Sequence, residues 1–356
     1  MEGKRGEDSD AIFSKWEFGI SGPVHLTSAD WRNPDHTRSV VASLIQGVYV
    51  LERDRQNKRT GNKALAPAWW DYFHFQCMKT LIDQIDLSIF GAIFEYKPRV
   101  IIPQQGVPPR YVIVFRGTLM ETDTRKRDLY LDIQLPFSRL TRDSRYLIAF
   151  QEIQGILEIS PKNVLLAGHS LGAAIALQAG KDMAKRGCHI ETYLFNPPYT
   201  SAPIEKINNT YLKGKIRIAK SIVTAGIYQV AKKGIKNYNN STKQHDSYSS
   251  LCSWIPNLFV NPSDPICCEY IGHFEHRGRM KELGMDQVDL IVTKHSLMSM
   301  LVGALGKDGE PPHLIPSALL TKNVKNVVQS VKEAHCVNQW WEPHSYCHSK
   351  LYVFEP

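Results

Sequence analysis

The 356-residue chain lacks the marks of several protein classes. Its seven cysteines, an odd number that includes the vicinal pair Cys267-Cys268, do not form the pattern of a disulfide framework. No CxxC or HExxH spacing is present, and His344 and His348 beside Cys336 and Cys347 do not follow zinc-ligand spacing, so no metal is expected. No apolar run reaches membrane-spanning length, and the opening MEGKRGEDSD is charged where a secretory segment would be apolar. A cytoplasmic location is the resulting expectation. Repeats and low-complexity tracts are missing, as is any phosphate-cradling or dinucleotide loop at a strand-helix junction, so no cofactor is expected. The net charge is +8, yet acidic residues are mixed in along Leu51 to Arg59 and Glu121 to Arg142 without an aromatic-basic module, which argues against nucleic acid as a partner. What the chain does have is a composition that is 43% hydrophobic, enough to bury a large core. The length prior is about two domains, but α/β folds of this size often remain one, and a single domain over 1–356 is expected. Nothing in the chain specifies an oligomeric state.

The most informative segment is Asn163 to Ala174, NVLLAGHSLGAA. Val164 to Ala167 is a continuous apolar run suited to a strand buried on both faces of a parallel sheet. Ala173 to Arg186 is rich in helix formers, carries Lys181, Lys185 and Arg186 towards its end, and stops at Gly187. Between them, Gly168-His169-Ser170-Leu171-Gly172 has the G-x-S-x-G spacing that lifts a nucleophilic serine out of a sheet edge, with glycines leaving room for the bend. A second buried strand, Tyr111 to Phe115, ends in Arg116-Gly117-Thr118. Acyl transfer needs two N–H donors aimed at the tetrahedral oxyanion, one from the residue after the nucleophile and one from a loop after a neighbouring strand. Leu171 and Thr118 are the candidates, and the Thr118 hydroxyl offers a third donor.

With VFRGT at Val114 to Thr118, Asp128 and Asp132 following it, and GHSLGAA at Gly168 to Ala174, the chain resembles the class 3 lipases, an α/β-hydrolase group that includes fungal triacylglycerol lipases and many plant lipases. It is most similar to a plant subgroup of lipase-like proteins through SGPVHLTSADW near the start, NPSDPICCEYIGHFEHR at Asn261 to Arg277, and AHCVNQWW at Ala334 to Trp341. One departure is Leu129, which follows Asp128 where the family often has tryptophan. The resemblance implies an α/β-hydrolase fold, with a mostly parallel central sheet, helices on both faces and a helical insertion near the active site.

The fold's chain order is serine, then an acid, then histidine. Asp264 lies in Asn261-Pro262-Ser263-Asp264-Pro265, directly after the strand-like Ile255 to Val260, in the turn where the family places its acid. Seven histidines follow it: His273, His276, His295, His313, His335, His344 and His348. His335 precedes Gln339-Trp340-Trp341 much as the family's base precedes a short aromatic helix, and His295, on the apolar stretch to Leu305, is the alternative. These assignments imply hydrolysis of a lipid or other acyl ester through Ser170, Asp264 and His335. Lipase-like proteins also serve as non-hydrolytic signalling or scaffold partners, which is the competing expectation.

Residues 201–250 lie between the strand-like Glu191 to Phe195 and the acid-bearing strand. Within them, Ile204 to Lys243 is rich in lysine with Glu205 its only carboxylate, and Ile216, Ala219, Val223, Ile227, Val230 and Ala231 fall near helical spacing. The pattern reads either as a lid that meets an anionic membrane surface or as a solvated surface helix. Elsewhere, Thr37 to Arg53 predicts a helix packed on the sheet, Gly61 to Pro67 a loop, Trp69 to Phe75 a core or pocket wall, and Leu351 to Phe354 a terminal strand.

Overall fold

The computed structural model describes residues 22–98, 106–119, 144–199, 249–282, 315–325, 330–342 and 346–354. The strands are β1 (Phe75–Ile82), β2 (Ile89–Tyr96), β3 (Tyr111–Phe115), β4 (Val164–His169), β5 (Glu191–Phe195), β6 (Asn257–Val260), β7 (Ala318–Asn323) and β8 (Cys347–Tyr352). They form one sheet in sequential order. β3 to β7 run parallel, while β1, β2 and β8 add antiparallel edges. The main helices are α1 (Pro34–Gln56), α2 (Ser144–Ile159), α3 (Leu171–Ala184), α4 (Glu269–Glu282) and the short α5 (Val331–His335).

A sheet that always steps in one direction through right-handed crossovers puts its connecting helices on one face. Tyr146, Ala149 and Ile153 of α2, the apolar residues of α3, and Tyr270 and Phe274 of α4 accordingly share one core with Ile113, Phe115, Leu166 and Leu258. The opposite face needs a cover from outside the crossovers, and α1 supplies it. Val40, Val41, Leu44, Ile45 and Val48 of α1 pack with Trp69, Trp70, Trp340 and Trp341 on Val112, Val114, Leu165, Ala167 and Phe195. The period-2 alternation of β3 and β4 therefore separates two cores rather than a core from solvent, which is why both strands read as unbroken apolar runs.

β3 and β5 have the expected bounds, and α1 extends the expected helix by three residues at each end, starting at Pro34 behind an Asn33 cap. α3 begins at Leu171, two residues earlier than its helix formers suggest, because packing against β3 overrides the low propensity of Gly172. β8 begins at Cys347 rather than Leu351: its polar first half has no apolar period and is a strand only because β7 offers a free edge. Gly61–Lys63 is a single 3-10 turn inside the expected loop. Among the described residues no helix is long and apolar enough to cross a membrane.

Candidate active site

Ser170 sits between the last residue of β4 and the first of α3, with φ 56° and ψ −126°. Non-glycine residues pay about 1–3 kcal/mol for such backbone conformations and keep them only where the surroundings over-determine them. Here its N–H donates to the Phe195 carbonyl at 2.9 Å, and its own carbonyl accepts from the N–H groups of Ala173 and Ala174 at 2.9 and 3.2 Å. The flanking glycines are steric necessities. A Cβ on Gly168 would lie 2.2 Å from the Gly172 carbonyl oxygen, and one on Gly172 would lie 2.3 Å from the Phe115 carbonyl oxygen. Serine at a helix N-cap usually spends its hydroxyl on a backbone N–H. Ser170 makes no such cap bond, and its Oγ lies 2.9 Å from Nε2 of His335.

His335 closes α5, whose start is fixed by a reciprocal capping box between Ser330 and Glu333. Its Nδ1 lies 2.8 Å from Oδ2 of Asp264, in the turn after β6. Ser170, His335 and Asp264 are all buried. Burial pushes the Asp264 carboxyl up, but the His335 ring, the Ile266 N–H and the Asn196 amide outweigh it and hold the group below its ordinary value. The ionised carboxylate accepts at Nδ1, so the ring proton resides there and the Nε2 lone pair faces the serine hydroxyl.

A further layer positions these groups. The Asn196 amide donates to Asp264 Oδ2 at 2.7 Å and to the Ala334 carbonyl at 3.0 Å, while the Trp340 indole N–H donates to Asn196 Oδ1 at 2.7 Å. Gln339 donates to the carbonyls of Ala334 and Cys336 and accepts from Asn261 and Asn323. The segment bearing His335 is thereby tied to β5, β6 and β7 at once, with the fully buried Trp340 as its anchor. The sequence marked Gln339, Trp340 and Asn261 only as neighbours of His335 and Asp264, not as their supports, and it did not mark Asn196 or Asn323.

Gly117 passes so close to the serine that a Cβ there would lie 2.7 Å from Ser170 Cβ, and the exposed Thr118 follows it in the chain. Leu171 is the first residue of α3, where a backbone N–H lacks an intrahelical acceptor. Among the described residues, neither the Thr118 nor the Leu171 N–H has a backbone or side-chain acceptor. His295, Asp128, Asp132 and 201–248 lie outside the described residues. Of the other candidate histidines, His273 lies against the Tyr199 ring with centroids 6.1 Å apart, and His348 stands opposite Lys322 in the β7–β8 pair. Among the described residues no cluster of His, Cys, Asp or Glu is arranged to hold a metal ion. A cavity of about 530 Å³ is lined by Asn163, Val164, Glu191 and Asn257 at the amino ends of the parallel strands, the end of the sheet away from Ser170. Open α/β sheets collect their chemistry at the carboxyl ends.

A serine elbow after β4, a carboxylate turn after β6 and a histidine after β7, all at the carboxyl ends of a mostly parallel sheet, make this an α/β-hydrolase fold. No family model matches the chain. A GDSL esterase/lipase of Arabidopsis thaliana is 43% identical over 358 residues, spanning 97% of this chain and 99% of that protein. The chain belongs to that esterase/lipase family. The tetrapeptide Gly-Asp-Ser-Leu does not itself occur here; the serine lies in Gly168-His169-Ser170-Leu171. A crystal structure of a lipase from Rhizopus microsporus var. chinensis covers 44% of this chain and 57% of its own at 18% identity, and its TM-score of 0.26 is too low to bear on fold or function.

Proposed function

We propose that this esterase/lipase family member hydrolyses carboxylic esters, with a lipid or other acyl ester as substrate, through Ser170 as nucleophile, His335 as base and Asp264 as the acid that orients it. The observation that carries the reading is the buried hydrogen-bond chain from Ser170 Oγ through both nitrogens of His335 to Asp264, with distances of 2.9 and 2.8 Å. Within the family, GHSLGAA and VFRGT favour the class 3 lipase pattern, and the continuous sheet favours a single domain.

In this reading Ser170 Oγ attacks the ester carbonyl carbon as its proton passes to His335 Nε2, and Asp264 stabilises the imidazolium that forms. The carbonyl oxygen becomes an oxyanion held by the N–H groups of Thr118 and Leu171. Collapse breaks the carbon–oxygen ester bond, with the proton on Nε2 going to the leaving alkoxide. Water then attacks the acyl-enzyme, again losing its proton to His335, and the acid product leaves with Ser170 restored. No cofactor takes part.

The test is turnover of short- and long-chain p-nitrophenyl esters by the wild type, Ser170→Ala and His335→Ala, with a serine-directed phosphonate as label. The expected result is loss of turnover in both variants and labelling at Ser170 alone. A wild type that neither turns over any acyl ester nor takes the label would overturn the reading in favour of a non-hydrolytic binding protein.

A further inference from the structure

We propose that Tyr49 is a positioning residue for ester hydrolysis, its hydroxyl tying the loop that carries Thr118 to the segment that carries His335. The inference rests on the roles given to Thr118, Ser170 and His335 above. Tyr49 belongs to α1, the helix that covers the sheet face left bare by the crossovers, and is buried. Its hydroxyl accepts the Gly117 N–H at 2.7 Å and lies 2.8 Å from Nδ1 of His169. The other nitrogen of that ring, Nε2, lies 2.7 Å from the carbonyl oxygen of His335.

The directions of these bonds follow from what each atom can do. A carbonyl oxygen only accepts, so Nε2 of His169 carries the ring proton and Nδ1 accepts. The Tyr49 hydroxyl has one proton, which it therefore gives to Nδ1, leaving a lone pair for the Gly117 N–H. Gly117 N–H, Tyr49 hydroxyl, His169 ring and His335 carbonyl form one chain with no donor unused. Burial, reinforced by the His335 ring, lowers His169 to about 3, so the imidazole stays neutral and the pattern does not change across the working range. Burial also raises the Tyr49 phenol, which keeps its proton.

Gly117 is pinned at its other end as well. Arg116 donates through Nη1 to the Gly117 carbonyl at 2.7 Å and through Nε to the Ile89 carbonyl at 2.6 Å. The Gly117 C=O and the Thr118 N–H belong to one planar trans peptide and point in opposite directions. Holding the carbonyl on Arg116 therefore fixes where the Thr118 N–H points. A Cβ at residue 117 would lie 2.7 Å from Ser170 Cβ and 2.8 Å from the Tyr49 hydroxyl, so only glycine lets the loop come this close to both. One phenol thus holds an oxyanion donor and the backbone of the base in a common frame.

The test is Tyr49→Phe, which keeps the ring and removes the hydroxyl, assayed with p-nitrophenyl butyrate beside the wild type and Ser170→Ala, with competent sites counted by phosphonate titration. Removing an oxyanion donor outright costs about 10²–10³ in kcat, so loss of its support is expected to cost about tenfold per titrated site, with KM within about twofold. His169→Asn cuts the same chain at its other end and is held to the same criterion should Tyr49→Phe not fold. The double variant is expected to be no slower than the worse single one, since both cuts break one unit. A Tyr49→Phe enzyme with wild-type kcat per site and only a lowered melting temperature would overturn the proposal, as would losses that multiply in the double variant. A wild type no faster than Ser170→Ala is a different outcome: it overturns the hydrolase reading itself, and this inference with it.

Discussion

Cys267 donates its thiol hydrogen to Asp264 Oδ2 across 3.1 Å, and both side chains are completely buried. Burial first, and the adjacent carboxylate second, push the thiol well above its ordinary value, so it remains a donor. The Asn196 amide shares the same oxygen at 2.7 Å, which leaves Oδ2 fixed from two sides while it faces His335.

Replacing that thiol separates its two contributions. Cys267→Ser keeps a donor, a stronger one, in nearly the same volume, whereas Cys267→Ala removes it and leaves a small void. The alanine variant is expected to lose about three- to tenfold in kcat at unchanged KM, on the scale of one hydrogen bond to a charged group, with the serine variant near wild type. Equal kcat for the wild type and Cys267→Ala in steady-state assays would show that the thiol does not orient Asp264.

Asn196→Asp probes the same carboxylate through charge. A second carboxyl at 2.7 Å from Asp264 Oδ2 cannot ionise alongside it without strong repulsion, so one of the pair takes up a proton in the neutral range. The expectation is a fall in kcat of about tenfold or more at pH 7, partly recovered as rising pH removes the shared proton. A pH–kcat profile parallel to that of the wild type would rule this out.

His169 should make stability depend on pH. Its folded pKa is about 3, held down chiefly by burial, while an unfolded histidine titrates near 6.5. Between these values the unfolded chain binds the extra proton, so stability is lost as pH falls from about 6.5 towards 3, at up to about 1.4 kcal/mol per pH unit. Asp264 works in a lower window. Its depressed carboxyl stabilises the fold above about pH 3.9, and that contribution is lost only below it. Melting temperatures from pH 7 to 4.5 should therefore drop for the wild type and be flatter for His169→Asn; parallel curves would remove His169 as the cause.

Two glycines should respond to alanine with opposite signs. A Cβ on Gly172 would lie 2.3 Å from the Phe115 carbonyl oxygen, so Gly172→Ala forces α3 away from β3 and should cost at least about 3 kcal/mol, on the scale of severe overpacking. Gly155, within α2, has open space where a methyl would stand, with nothing within 4 Å, and Gly155→Ala should raise stability by about 0.5–1 kcal/mol. Chemical denaturation with the slope held constant reads both.

Local order was legible in the sequence. β3 and the start of β4 announce themselves as unbroken apolar runs, the helix after Ser170 as a series of helix formers ending at Gly187, and the elbow as glycines two residues either side of a serine. Each is a short-range pattern that needs only its own neighbours to be read. Asp264 and His335 were candidates through the family resemblance, which points to a turn after a strand and to a segment before tryptophans, whereas nothing local ranks the seven histidines downstream of the aspartate. Long-range contact decided the rest. His335 meets Ser170 across 165 residues, Tyr49 meets His169 across 120, and Asn196 meets Asp264 across 68. Such pairs are set by the order of the strands and by which face each helix must cover, so α1, in the sequence only an apolar helix, delivers a phenol to the serine elbow. The sequence by itself determined the central strands β3 to β6, the elbow and the chemistry of its residues, because these depend on spacing along the chain. Tertiary structure alone decided which buried polar groups hold them, because a buried donor must find an acceptor wherever the fold brings one within reach.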